Sequence, residues 1–379
     1  MNKHAVCVAA LAVAMLSLSS LEGPGGLATA QVAKPGWQAE WEKTLRAAKE
    51  EAQVTVYFDS QATLFLDPFR KQFPEIKFVS VSIDSPQLAN RVMAERRAGK
   101  YLVDIVITGA NPNYQVYYAA KILDPINTAF ILPEVIDESK WLQGKHWYID
   151  TENRYVFVYL GNVARVASYH TKSVNPAQFK SYWDFLKPEW KGKIIARDIR
   201  RPGSGGDAVR FFYHTPELGP SFIRRLFNEG GLSLTADNRQ GVDWLAQGKF
   251  ALGLFFGRIE VAKAQGLPVD EFDPHLFKEG APLGIGPGTM VLINRAPHPN
   301  AAKVFINWYL SRDGQLTYQR DAVRGGTGAD SMRTDIPKDD VTPAYRRRAN
   351  GKYLFVATPE RTDMLPIYKV VNEALAEKK

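Results

Sequence analysis

Lys193 to Tyr213 reads KIIARDIRRPGSGGDAVRFFY, and its residue types suit the capture of an anion. Ile194, Ile195 and Ala196 form the apolar end of a short buried strand, and Arg200 to Gly206 form a glycine-rich turn. Ala208, Phe211 and Phe212 recur at helical spacing, which predicts a helix starting near Gly206. A strand end, a flexible turn and a helix start leave several backbone N–H groups aimed at one point. The helix dipole adds partial positive charge there, and Arg200 and Arg201 stand beside it. Arg201, Ser204, Gly205 and Gly206 are therefore candidates for contact with a carboxylate or phosphate. The same stretch also reads as a tight strand-to-helix connection with solvated arginines.

Further donors are spaced along the chain. Asn238 and Arg239 open another helix, and Arg258 follows the apolar run Phe250–Phe256. Guanidinium forks pair well with carboxylate and phosphate oxygens. Ser60 with Gln61, and Thr108 with Gly109, stand at strand-to-helix turns in the first half and would close on the ligand from the other side. Tyr155, with Tyr114, Tyr117 and Tyr118, offers either an aromatic wall for an organic ligand or ordinary core.

Other chemistries are poorly supplied. The six histidines, at 4, 146, 170, 214, 275 and 298, include no His-x-x-x-His pair, so neither a metal site nor a cofactor is expected. The one cysteine, Cys7, lies in the N-terminal apolar run, leaving no thiol or disulfide beyond it. Gly203-Ser204-Gly205-Gly206 has a serine among glycines, which raises an exported hydrolase as a reading of a different class. The nucleophile elbow needs Gly-x-Ser-x-Gly, but Pro202 occupies the first glycine position and His214 would lie two turns along the helix. A binding protein, not an enzyme, is the expectation.

Lys3 and His4, the apolar run Ala5–Leu18 and Ala28-Thr29-Ala30 predict a targeting signal over 1–30, cleaved near Ala30, and hence a periplasmic chain. The net charge is +8. Export argues against nucleic acid as the partner of that charge. The run Arg346-Arg347-Arg348 reads as a solvated helix end.

The elements that must position these residues alternate. Trp37–Ala52 is an amphipathic helix, with Trp37, Trp41, Leu45 and Ala48 on one face. Strands at 54–58, 76–81 and 103–107 alternate with helices, one opened by Asp67-Pro68 and one by Ser85-Pro86. Tyr114–Ala120 is again helical. Tyr155–Leu160 and 166–169 are strands, and the alternation returns through Phe250–Phe256. Met290–Ile293 is a strand, Asn300 caps the next helix, and Gly325–Gly328 is a loose loop. With 379 residues this predicts an α/β fold of two lobes. One lobe spans 31–150 and 281–330, the other 151–280 and 331–379. Ligands of such sheets gather beyond the carboxyl ends of the strands.

Tyr169-His170-Thr171-Lys172, Trp190-Lys191-Gly192-Lys193-Ile194 with the Arg-Pro-Gly-Ser-Gly-Gly turn, and His298-Pro299-Asn300-Ala301-Ala302-Lys303 leading to Leu310-Ser311-Arg312-Asp313-Gly314-Gln315 carry a family likeness. The chain resembles bacterial extracellular solute-binding proteins of ABC importers, in the branch related to ferric-iron-binding proteins. The resemblance implies a type II periplasmic binding fold: two α/β lobes with mixed sheets, joined by crossing strands, with the ligand cleft between them. It also implies a monomer that delivers its ligand to a membrane permease. Iron-binding members carry a tyrosine pair just after the strand corresponding to Phe250–Phe256. Here that place reads Phe255-Phe256-Gly257-Arg258, without a phenolate and with a cation. A small organic anion is therefore the expected ligand, with ferric iron as the alternative.

Overall fold

Gly36–Glu51 forms helix α1, whose Thr44 and Ala48 are buried while Trp37 stays exposed, outside the apolar face expected for it. The computed structural model describes residues 36–60, 66–201, 204–324, 329–343 and 345–377. The expected signal over 1–30, Gln61, Pro202, Gly203 and the loop 325–328 lie outside those residues. None of the described helices is long and apolar enough to cross a membrane.

Runs of β-branched and aromatic residues become β1 (Gln53–Asp59), β2 (Lys77–Ile83) and β3 (Ile105–Thr108). Between them lie α2 (Asp67–Gln72) and α3 (Ser85–Arg97). The expected caps shift by one position. Asp67 is already helical and Leu66 precedes it. Asp84, not Ser85, is the extended residue before α3, because the Ser85 N–H donates to Asp59 at 2.9 Å. After β3 the chain winds as a π-helix over Pro112–Tyr118, then passes β4 (Leu123–Asp124), the short α4 (Pro133–Ile136) and β5 (Trp147–Tyr148). Of the expected strand Tyr155–Leu160 only β6 (Phe157–Val158) pairs in the sheet.

The chain then leaves through β7 (Asn162–Val163) and builds β8 (Ala167–His170) and β9 (Ile194–Arg197). Helices α5 (Gly206–His214) and α6 (Gly219–Asn228), β10 (Ser233–Thr235), α7 (Asn238–Ala246), β11 (Leu252–Leu254), α8 (Ile259–Ala264) and β12 (Val269–Glu271) follow. It returns through β13 (Ala281–Gly284) to β14 (Thr289–Ile293), α9 (Pro299–Leu310) and α10 (Arg312–Arg324). Asn300 is not the cap of α9. His298 holds that position, and the Glu51 carboxylate at the end of α1 accepts from the N–H groups of Asn300 and Ala301 at 3.1 and 2.7 Å. An acidic side chain at a helix start complements its dipole, and this contact welds α1 to α9. Last come β15 (Tyr353–Phe355), α11 (Pro359–Thr362) and α12 (Leu365–Glu377).

Three sheets result. The first has the order β2-β1-β3-β14-β6-β5, with β4 beside β14; β2, β1 and β3 are parallel and β14 runs against them. The second is β10-β9-β11-β8-β12, its first three strands parallel. Both are mixed, because β14 and β8 run against their parallel neighbours; the third, β15-β13-β7, consists of the segments in which the chain passes between the other two, which makes the fold two-lobed. Each large sheet has its own aliphatic and aromatic core. Ala329 and Met332, which follow residues 325–328 in the chain, belong to the first of these cores.

The basic run at 346–348 is not a solvated helix end. The Arg347 side chain is only 8% exposed and its guanidinium donates to buried Asp330 at 2.9 Å, where Lys338 also lies 3.0 Å away. Arg346 donates to the Asp339 and Val341 carbonyls, and Arg348 pairs with Asp273. The fold supplies acceptors that no local pattern announces.

Candidate ligand-binding hollow at the second sheet

The parallel strands β9, β10 and β11 end side by side, so their following loops meet. At the end of β9, Arg197 is only 5% exposed. Its Nη1 donates to the carbonyl oxygens of Arg201 and Ser204 at 3.2 and 3.1 Å, folding the turn back on itself. Gly205 has φ 96°, and a Cβ there would stand 2.5 Å from the Phe255 Cβ. Only glycine meets both demands, and α5 starts at the next residue.

The small polar residues of this corner tie the loops together. Ser204 Oγ lies 2.8 Å from the Phe255 carbonyl and 3.1 Å from Asn238 Oδ1, donating its one proton toward these two oxygens. The Asn238 amide donates to the Gly257 carbonyl and accepts from the Gly257 N–H, both at 2.9 Å. Asp237 caps α7 by accepting from the N–H groups of Arg239 and Gln240 at 2.8 and 3.1 Å. Phe255 and Arg258 adopt φ 68° and 66°, which turns Phe255 inward and ends the strand at Leu254.

This scaffold encloses an open hollow of about 760 Å³. Arg197, Arg239 and Arg258 line it, as do Asp237 and Asp243. Asp237 is engaged on its helix, and Asp243 lies 4.0 Å from Arg239. Four expected residues thus meet here: Ser204, Asn238, Arg239 and Arg258. Gly205 and Gly206 form the turn beside it. Arg197 escaped notice in the sequence, although a cation closing a buried Ile-Ile-Ala strand is itself a signal.

Other expected residues lie elsewhere. Arg201 is exposed and does not line the hollow, and Arg200 forks onto Asp198 at 2.8 Å and reaches Asn372 at 2.9 Å. At the first sheet, Thr108 is fully buried against Ser85, and its carbonyl accepts from the Thr289 hydroxyl at 2.6 Å. The Ser60 hydroxyl donates to Asp84. Gly109 borders a separate hollow of about 270 Å³, shared with Asp207 and Arg210 of α5. Tyr155 borders another, of about 400 Å³, where its ring stands 5.4 Å from Tyr118 with the Arg154 guanidinium over it. The three hollows share no residue.

At the place where iron-binding relatives were expected to differ, Phe255 packs in the core against Phe212 and Phe227, and Phe256 closes over Gly241. Among the described residues, no group of three His, Cys, Asp or Glu could hold a metal ion. The hydrolase reading also loses its base. Ser204 donates to carbonyl and amide oxygens, while His214 sits at the far end of α5, where burial, then Arg361 and Arg210, hold its pKa below the ordinary value.

Solved structures share this architecture. A Trichodesmium IdiA/FutA protein in complex with iron and citrate ligands superposes with TM-score 0.58 at 15% identity, over 86% of this chain and 98% of the other. The substrate-binding protein of an ABC transporter from Agrobacterium tumefaciens gives 0.53 at 16%, over 86% and 95%. AfuA from Actinobacillus pleuropneumoniae, with exogenous fructose-6-phosphate bound, gives 0.51 at 16%, over 86% and 98%. These likenesses establish the type II periplasmic binding fold. No curated protein matches by sequence. The family model for bacterial extracellular solute-binding proteins matches residues 40–316. The chain therefore belongs to the bacterial extracellular solute-binding proteins, a family of non-enzymatic ligand carriers.

Proposed function

We propose that the chain is the periplasmic substrate-binding subunit of an ABC importer, and that it captures a small organic anion (a carboxylate, phosphonate or phosphate ester) for delivery to a membrane permease. The observation that carries the anion reading is the convergence of Arg197, Arg239 and Arg258 on one hollow at the ends of three parallel strands. Ligand that touches both lobes favours the closed state, because only differential affinity shifts such an equilibrium. Iron as a bare ion is disfavoured by the buried Phe255 and by the guanidinium of Arg258. A negatively charged ferric chelate stays within the anion class.

A thermal-shift screen of citrate, a sugar phosphate, an alkylphosphonate, hexanoate and ferric citrate tests the reading. A true ligand raises the melting temperature through mass action, in proportion to the logarithm of its concentration over Kd. Stabilisation by ferric chloride, added as a further probe, with citrate, ferric citrate and every other anion silent, would replace the anion by the metal.

A further inference from the structure

The hollow has a second character that its arginines do not explain. Helix α7 contributes Arg239, Val242 and Asp243 to the wall; α8 and its flanks contribute Arg258, Val261, Ala262 and Gln265. In each case an arginine stands at the start of the helix and a valine three residues later. Three residues of α-helix rise about 4.5 Å. On each helix the valine therefore lies less than one turn inside its arginine; Val242 is buried beneath the wall, and Val261 and Leu267 give the hollow exposed apolar surface. Val261 and Leu267 are 46% and 38% exposed. They are two of six large hydrophobic residues exposed in the described chain, and both open into this hollow. Exposed apolar surface gathered at the edge of a polar pocket is a common mark of a binding surface.

Resting on the anion reading above, we infer that the ligand is amphipathic: one carboxylate or phosphonate head seated on the arginines, and an apolar aliphatic or aromatic body lying against Val261 and Leu267. A polyhydroxylated sugar phosphate or citrate leaves that surface wet, whereas a short alkyl chain or a phenyl ring covers it.

Isothermal titration of the full chain with butanoate, pentanoate, hexanoate, phenylacetate, citrate and glucose 6-phosphate decides the matter. Burying a methylene is worth about 0.8 kcal/mol, or about fourfold in Kd. The expected result is a Kd that tightens about fourfold per carbon from butanoate to hexanoate. Val261→Ser with Leu267→Ser should flatten that series. Both side chains are exposed, and circular dichroism confirms that the double variant folds. Binding of citrate or glucose 6-phosphate, with no chain-length dependence among the monocarboxylates, overturns the amphipathic ligand and leaves the anion reading standing. Silence of all six probes overturns the anion reading itself. A wild-type dimer that the double variant dissolves, seen by sedimentation, would assign the apolar surface to a second copy of the chain and overturn the inference.

Discussion

The carboxyl ends of the parallel strands differ between the two large sheets. At the first sheet, Asp59, Ser85 and Thr108 answer one another: the Asp59 carboxylate takes the Ser85 N–H and hydroxyl, and Ser85 meets Thr108. Ser60 is likewise spent on Asp84. At the second sheet, Ser204 and Asn238 are spent on backbone in the same way, yet Arg239 and Arg258 still open onto a hollow. Small polar residues at either edge hold loops in place. Among the described residues, three arginines line the hollow at the second edge, whereas the hollow beside Gly109 at the first receives Arg210 from α5. An edge whose hydroxyls and carboxylates close on themselves serves as a frame, and one that keeps guanidinium groups in reserve can bind.

Four substitutions test that contrast. Gly205→Val should cost the most, on the order of 3 kcal/mol in a urea melt, because it combines a left-handed backbone with a side chain driven into Phe255. A smaller loss would mean that the corner is softer than its contacts imply. Asp59→Ala should cost about 2 kcal/mol of stability by removing a charged acceptor from the half-buried Ser85 N–H and hydroxyl, while the folded fraction keeps its affinity for citrate or hexanoate. A loss of affinity there would make the first edge a binding edge too. Arg258→Ala should show the inverse: affinity down by about 1.5 kcal/mol, roughly tenfold, with stability moved by less than about 0.5 kcal/mol. Equal binding by calorimetry removes Arg258 from the site. Arg201→Ala should shift neither quantity by more than about 0.5 kcal/mol, since its side chain is exposed and off the hollow. A tenfold loss would place the ligand above the turn instead.

What the sequence made legible follows from how local each signal is. The apolar strands Ile105–Thr108 and Ile194–Arg197, the amphipathic helices and the glycine corner are written in consecutive residues. The crossing strands are not. Asn162–Val163 is two residues long, and Ala281–Gly284 carries Pro282; both are strands only because distant partners pair with them. Charge misled for the same reason. Arg347 looks solvated in sequence, yet its side chain is tucked onto Asp330 in the fold. Arg197, which braces the turn, sits inside a strand pattern that draws the eye to its isoleucines.

The third sheet has one more consequence. Its outer strand, Tyr353–Phe355, lies beyond residue 316, where the family match stops, and so does α12, which lays buried Ile367, Val371 and Ala374 into the second sheet's core. Arg224 of α6 fastens that helix through Glu373 and Glu377. The stretch that the family model matches is therefore not an autonomous folding unit: a protein truncated at residue 316 would lose the outer strand of the third sheet and leave the second core unroofed, and should be cleared by proteases rather than accumulate in working form.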